Sequence, residues 1–383
     1  MTLEKIKQKL TSSDNYLSLH TPTYLADLNA FKTNLSDLLA SFKKYYNHFN
    51  IGYSFKTNYY EGFLDIVREL GCMAEVVSPK EYDMAIANDF NDSQIIFNGM
   101  IPAIGQKLSV LYKGGIVNFD NIDDLVATIS KSKSGKPLEI GIRLNIDIGS
   151  GIQSRFGIKP YSDDYQLICE LANRNLFKIK AIHCHLSYAR SLDKFEKRMD
   201  RMLEVAQQLH PSIIDIGGNM FGRVDPLIEK QMIKEAGQVP TYDDYAKVIA
   251  GRMKEAYPNE EPLLLIECGT PIVGNCMYLL TTCISTKQYD GETPIAVLDC
   301  TRNDAGFVLA KKEAAIYPFD GNEKPLSKAR IFGCSCIEDD ILHHCYNGPM
   351  ERGHQYIIAN VGAYGMNVAN DFIIKKPPVY PIR

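Results

Sequence analysis

Long apolar runs are missing from this chain, and that excludes a simple membrane span. The most apolar stretch, residues 263–284, contains Glu267 and Pro271 and is broken by Gly269 and Gly274. The opening MTLEKIKQKLTSSDN alternates charged and apolar residues and lacks the apolar core of an export signal, so a cytoplasmic protein is expected. Neither sign of charge dominates. With 42 Lys and Arg against 46 Asp and Glu, the net charge is −4 and the pI about 6.1, which gives no basic footprint for nucleic acid or an anionic membrane. A small-molecule partner fits better. Internal repeats and low-complexity linkers are also missing, and the 10 cysteines, without an export signal, are expected as reduced thiols.

What is present is enough apolar material, 45% of 383 residues, for a large domain and a second smaller one. From about residue 30 to 273, short apolar runs alternate with charged amphipathic stretches, the pattern of βα units. The runs are IGYSF, AEVVS, IIFNG, GIVNF, LEIGIRLN, IKAIHCHLS, IIDIGG and LLLIECG. Eight such units close most simply into an α/β barrel, with chemistry at the C-terminal ends of the strands. From residue 274 to 383 the texture turns β-rich, as in MYLLTTCISTKQYDGE, PIAVLDCT, ARIFGCSC and HQYIIANVGAY. An antiparallel β-domain is expected there, with residues 1–29 contributing a piece.

The polar residues that close the barrel runs are Lys56, Glu75, Asn98, Arg143, His183 with His185, the Gly217-Gly218 turn and Glu267. A parallel barrel brings them to one mouth, where a buried charge must be paired or used. Lys56 is the most telling, because a lysine after YSF sits half-buried with a poorly hydrated ammonium. A structural salt bridge is the plain alternative. His183 and His185 alternate on one strand as metal ligands can, but no third ligand stands at an obvious distance, and no metal site is expected.

YSFKTN resembles the cofactor-lysine motif of the fold-type III pyridoxal-phosphate decarboxylases, the ornithine, diaminopimelate and arginine decarboxylase group. AEVVSPKEY resembles the next motif, in which Ser-x-x-Glu opens a helix; IRLN, SRFGI, HCHLS, DIGGN, ECGTP, VLDCTRND, GCSCIEDD and VGAYG follow in the family's order. The resemblance covers most of the chain. It implies an alanine-racemase-like (β/α)8 barrel with a C-terminal β-domain, pyridoxal 5′-phosphate as cofactor, α-decarboxylation of an amino acid, and a homodimer with shared active sites. Lys56 is implied to carry the cofactor and Glu267 to keep its ring nitrogen protonated. His185 is implied to stack on the ring, the turn at Gly217, Gly218 and Asn219 to offer N–H groups to the phosphate, and Tyr364 to reach the cofactor, with Glu75 and Arg143 also in contact. His183 is taken as a satisfied strand-end histidine. Gly333, Cys336 and Asp340 match Gly-x-x-Cys-x-x-x-Asp, which implies Cys336 as proton donor to a site in the other subunit; Asp299 and Asp340 join it as substrate-binding residues. That match is set against a zinc reading of Cys334, Cys336, His343, His344 and Cys345.

Four positions depart from the pattern. Thr270 stands where the family has an arginine that helps bind the phosphate, and Asn219 replaces the third glycine of the phosphate turn. Ser187-Tyr188 replaces Gly-Ser after the stacking histidine, and Ile337 replaces the acidic residue after the loop cysteine. Losing the arginine removes a charge-assisted contact that another residue, such as Arg302, would have to supply. Ile337 points to a non-standard substrate, such as an acyl or carboxylate-bearing conjugate of a diamino acid. The rivals are an amino-acid racemase or epimerase on the same barrel, and a non-catalytic homologue that binds a protein partner.

Overall fold

The computed structural model describes residues 8, 19–149, 151, 153–306, 312–320 and 325–382. After β1 (Thr23–Asp27), eight parallel strands close a barrel in chain order: β2 (Phe49–Ser54), β3 (Met73–Val76), β4 (Ile95–Phe97), β5 (Ile116–Phe119), β6 (Leu138–Arg143), β7 (Phe177–His183), β8 (Ile213–Asp215) and β9 (Leu263–Cys268). β9 closes onto β2 with Leu264 opposite Phe49. All eight lie in the apolar runs read from the sequence. Strands such as IIF and IVNF are buried on both faces, as parallel strands covered by helices must be.

The helices begin where the sequence offers caps. Ser78 accepts from the Glu81 N–H, Pro79 takes the first turn, and the Glu81 carboxylate accepts from the Val77 N–H, so the Ser-x-x-Glu opens helix Pro79–Ala87. Helix Leu192–Leu209 buries Phe195, Arg198, Met199, Met202, Val205 and Ala206, a helical spacing of three and four.

The barrel interior follows the two-residue period of its strands. Met73, Ile96, Ile116, Ala181, Ile213 and Leu265 pack together as an apolar layer. Two residues further along each of those strands stand Glu75, Asn98, Asn118, His183, Asp215 and Glu267, all buried. This second layer is polar and sits at the C-terminal end. Gly141 leaves room for it, since a Cβ there would lie 2.1 Å from Asn118 Oδ1.

The second sheet contains β10 (Met277–Lys287), β11 (Ile295–Leu298), β12 (Ala315–Pro318), β13 (Pro325–Phe332), β14 (Ile341–Pro349), β15 (Gln355–Ala359) and β16 (Val379–Ile382), in the order β12-β15-β10-β11-β13-β14. β1 joins it, antiparallel to β10 and parallel to β16. The sheet is therefore mixed and not purely antiparallel as expected. β11 and β13 also run parallel, which needs a long connection, and residues 299–324 supply one.

The segment after β15 clasps the end of β2. Tyr364 N–H donates to Thr57 O (2.8 Å), Asn58 Nδ2 to Gly362 O (2.8 Å), and Asn367 Nδ2 to Phe55 O and Lys56 O (2.9 and 3.2 Å). Lys56 is thus held by both sheets. Among the described residues no helix is long and apolar enough to cross a membrane.

Candidate active site

The polar layer forms one hydrogen-bonded network. Lys56 Nζ donates to Glu75 Oε2 at 2.5 Å. The Asn98 amide donates to Glu75 Oε1 (3.2 Å) and Glu267 Oε1 (2.5 Å) and accepts from Asn118 Nδ2 (2.9 Å). His183 Nε2 lies 3.1 Å from Glu267 Oε2, so the histidine expected to be satisfied is bound on that side, while its Nδ1 has no hydrogen-bond partner among the described residues. Asp215 completes the group, with ligand-type atoms of His183, Asp215 and Glu267 all within 4.8 Å of one another.

Burial and neighbouring charges decide which of these groups ionise. Burial works to raise Glu267, yet His183 and Lys56 hold it well below the usual carboxylate range. Burial and the charge of Glu267 push Asp215 well up. One buried proton therefore sits on Asp215 and the negative charge on Glu267. For Lys56 burial pulls downward, but the charges of Glu75 and Glu267 outweigh it and raise the ammonium above its ordinary value. Burial, with Lys56 and Arg198 nearby, drives His185 well below the ordinary histidine range, so its ring is neutral, and its Nδ1 accepts from the Gly218 N–H at 3.1 Å.

A cleft of about 1240 Å³ opens at this mouth, lined among others by Lys56, Thr57, His185, Glu267, Thr270 and Tyr364. A third of the Lys56 side chain, 35%, faces it. Arg198, fully buried, fixes the loops beneath by donating to the carbonyls of Ile216, Gly218, Leu186 and Ala189.

Several expected residues are placed elsewhere. Gly217 and Gly218 do not line the cleft. Their N–H groups bond to Asp215 Oδ1 (2.9 Å) and His185 Nδ1. They serve close packing: Gly217 has φ +64, and a Cβ on Gly218 would lie 2.0 Å from Glu267 O. The cleft is lined by the next residues, Asn219 to Gly222. Arg143 also lies outside the lining, 3.5 Å from Asp120 and 4.4 Å over the Phe156 ring. Glu75 meets the cleft only through Lys56. Asp299 accepts from Thr21 Oγ1, Thr281 Oγ1 and the Thr282 N–H, and Asp340 from the Arg302 and Ser335 N–H groups. Cys336 is exposed on the β-domain and does not line the cleft of its own subunit. Arg302, the suggested replacement for the missing arginine, lines a different cavity with Asp339 and Asp340. Sequence reasoning passed over Asn118, Asp215 and Arg190; for the first two the apolar-x-polar spacing was the available signal.

Residues 32–274 match the family described as pyridoxal-dependent decarboxylase, pyridoxal binding domain. The chain belongs to the pyridoxal-dependent decarboxylases. It is 24% identical to diaminopimelate decarboxylase of Bacteroides thetaiotaomicron over 95% of this chain and 96% of that one, and 24% identical to that of Methanothermobacter thermautotrophicus over 94% and 85%. In fold it is similar to diaminopimelate decarboxylase from M. jannaschii in complex with L-lysine (TM-score 0.83, 22% identity, 95% and 88% covered). It is similar also to the Paramecium bursaria Chlorella virus arginine decarboxylase (TM-score 0.81, 18% identity, 100% of both chains). Family membership makes this decarboxylase a carboxy-lyase that uses pyridoxal phosphate. The donor set fits that group: a lysine amine opening on the cleft, an ionised buried carboxylate and a neutral imidazole face.

Proposed function

We propose that this decarboxylase removes the α-carboxylate of an amino acid larger than ornithine or lysine, whose side chain ends in an acyl or carboxylate group, such as a conjugate of a diamino acid. The observation that carries the substrate reading is the state of the β-domain carboxylates. A buried ammonium left without a partner costs several kcal/mol. Asp340 and Asp299 both spend their oxygens on other donors of this chain, and Ile337 offers no acceptor. The cleft carries Lys194, Lys312 and Arg190 besides Lys56, against Asp193 and Asp244, along with the apolar Leu192, Met220 and Phe221, an extent and mix that suit a longer side chain with a polar end.

Bound pyridoxal phosphate supplies the electron sink that makes loss of the carboxylate feasible. The chain's residues do the rest. Lys56 Nζ would hold the cofactor, and Glu75 Oε2, 2.5 Å away, fixes where that amine points. Glu267, ionised and braced by Asn98 and His183, keeps a proton on the ring nitrogen. The neutral His185 ring lines the cleft and would offer the cofactor a face without adding positive charge. Cys336 of a second copy delivers the proton to carbon, so the active unit is a homodimer with shared sites. A racemase of this barrel carries arginine at the ring nitrogen and so a weaker sink, which Glu267 disfavours. A partner-binding homologue without catalysis is disfavoured by Lys56, His185 and Glu267 standing together on one cleft.

The test is carbon dioxide release over ornithine, lysine, meso-diaminopimelate and their N-acyl and carboxylated conjugates. The conjugates should be turned over and the free diamino acids poorly. Efficient turnover of any of the three free diamino acids would refute the assignment.

A further inference from the structure

We infer that Arg190 binds the cofactor phosphate in place of the arginine missing at position 270, and that Asn219, the residue replacing a glycine, aims it. This rests on pyridoxal phosphate occupying the cleft described above. A phosphate monoester carries about two negative charges near neutral pH and calls for a cation or several donors. The glycine turn supplies few donors here. The N–H groups of Gly217 and Gly218 are taken by Asp215 and His185, and that of Phe221 donates to Tyr245 Oη at 3.1 Å.

Arg190 meets that turn at Asn219. Its Nε donates to Asn219 Oδ1 at 2.9 Å, while Asn219 Nδ2 donates to Leu186 O at 2.8 Å. Asn219 thus ties the loop after β7 to the turn after β8. That bond uses only Nε, which leaves both terminal amino groups of the guanidinium for a planar two-point contact with an oxyanion. One further contact holds the side chain and one its backbone. The guanidinium lies 5.4 Å over the Phe221 ring, and Tyr245 Oη donates to Arg190 O at 2.5 Å. Tyr245 therefore grips both loops at once. Arg190, Asn219, Gly222 and Thr270 all line the cleft, and Gly222 is so close to Pro271 that a Cβ would fall 2.2 Å from its Cα. The turn, Arg190 and the vacant arginine position are therefore parts of one corner. Asn219 holds φ +77, a conformation costly for most side chains, which asparagine tolerates better than others. The two departures from the family pattern, Thr270 and Asn219, then form a single rearrangement in which one arginine is lost and a different one is anchored.

The experiment is a spectroscopic titration of the full-length apoprotein with pyridoxal 5′-phosphate and, separately, with pyridoxal, which lacks the phosphate. Arg190→Ala should weaken pyridoxal phosphate by roughly tenfold to a hundredfold while changing pyridoxal by less than about twofold. Arg190→Lys should fall between, Asn219→Gly should show a smaller loss of the same phosphate-specific kind, and Thr270→Arg should restore part of the affinity lost in Arg190→Ala. Equal weakening of both ligands would mean that Arg190 only holds the loops together, and would overturn the proposal. So would unchanged pyridoxal phosphate affinity, including the case where KM for the amino acid rises instead. If the unaltered protein took up neither ligand, the cofactor reading itself would fail and this proposal with it, an outcome distinct from the other two.

Discussion

At the barrel mouth, charged and polar side chains from six strands bond to one another, whereas in the β-domain loop 333–340 the carboxylate of Asp340 bonds to backbone N–H groups and the side chains of Cys336 and Ile337 face outward. Ile337 is 54% exposed, while Glu75 and Glu267 are at most 4% exposed. The first region is organised within one subunit, and its pKa shifts follow from that. The second fixes its backbone and leaves Cys336 and Ile337 exposed. The loop lines a separate cavity, with Ser335, Ile337, Asp339 and Asp340 on its wall, and Cys336 lies outside the barrel cleft.

The comparison breaks most visibly if either region is disabled. Lys56→Ala should lower activity by about a thousandfold or more, and Cys336→Ala by about a hundred- to ten-thousandfold, while mixing the two variants under subunit exchange should restore activity in heterodimers with one intact site. No recovery despite demonstrated exchange would place both residues in one subunit's site. Next, Glu267→Gln removes the charge that His183 and Lys56 stabilise; a broken buried pair costs about 3–5 kcal/mol. That cost should appear as lost stability in urea; the rate of decarboxylation should fall separately because the ring nitrogen loses its carboxylate, and a near-normal rate would remove Glu267 from the ring nitrogen.

Asp340→Ala sharpens the contrast from the other side. Two backbone donors lose their acceptor, so unfolding in urea should show a loss of about 2–4 kcal/mol, with KM for the preferred substrate little changed. A large rise in KM at normal stability would return Asp340 to the substrate. The smallest effect concerns Glu81, which burial pushes up from 4.5 to about 7. A raised carboxyl pKa gives stability that is complete below about pH 4.5 and is lost as pH rises through about 7, a difference of roughly 3 kcal/mol. Glu81→Gln keeps an acceptor for the Val77 N–H, so its stability curve should be flatter across that window. An unchanged slope would mean that Glu81 titrates normally.

The barrel was legible because each strand is a short apolar run with a polar residue at its end, and closure brings those ends together whatever the details. Lys56, His185 and Glu267 were visible for the same reason. What the sequence concealed depends on contacts between distant segments. The parallel pairing of β11 with β13 is a matter of register across a long connection. The Gly217-Gly218 turn looks like a phosphate loop in one dimension, but its N–H groups face Asp215 and His185 once β7, β8 and β9 are neighbours. Arg190 is one of many arginines on paper and is singled out only by its bond to Asn219. Asp215 was readable within DIGG as an inward acid two residues beyond Ile213, but its proton depends on Glu267 from another strand.

The central claim is that Lys56 carries the cofactor at the barrel mouth, and the most direct measurement is borohydride reduction of the protein loaded with pyridoxal phosphate followed by peptide mass analysis. The near-visible absorption band of the lysine-linked cofactor should disappear on reduction, and the added mass should be found on the peptide containing Lys56 alone. A protein that shows no such band with added cofactor, or that carries the label on another lysine, would contradict the account.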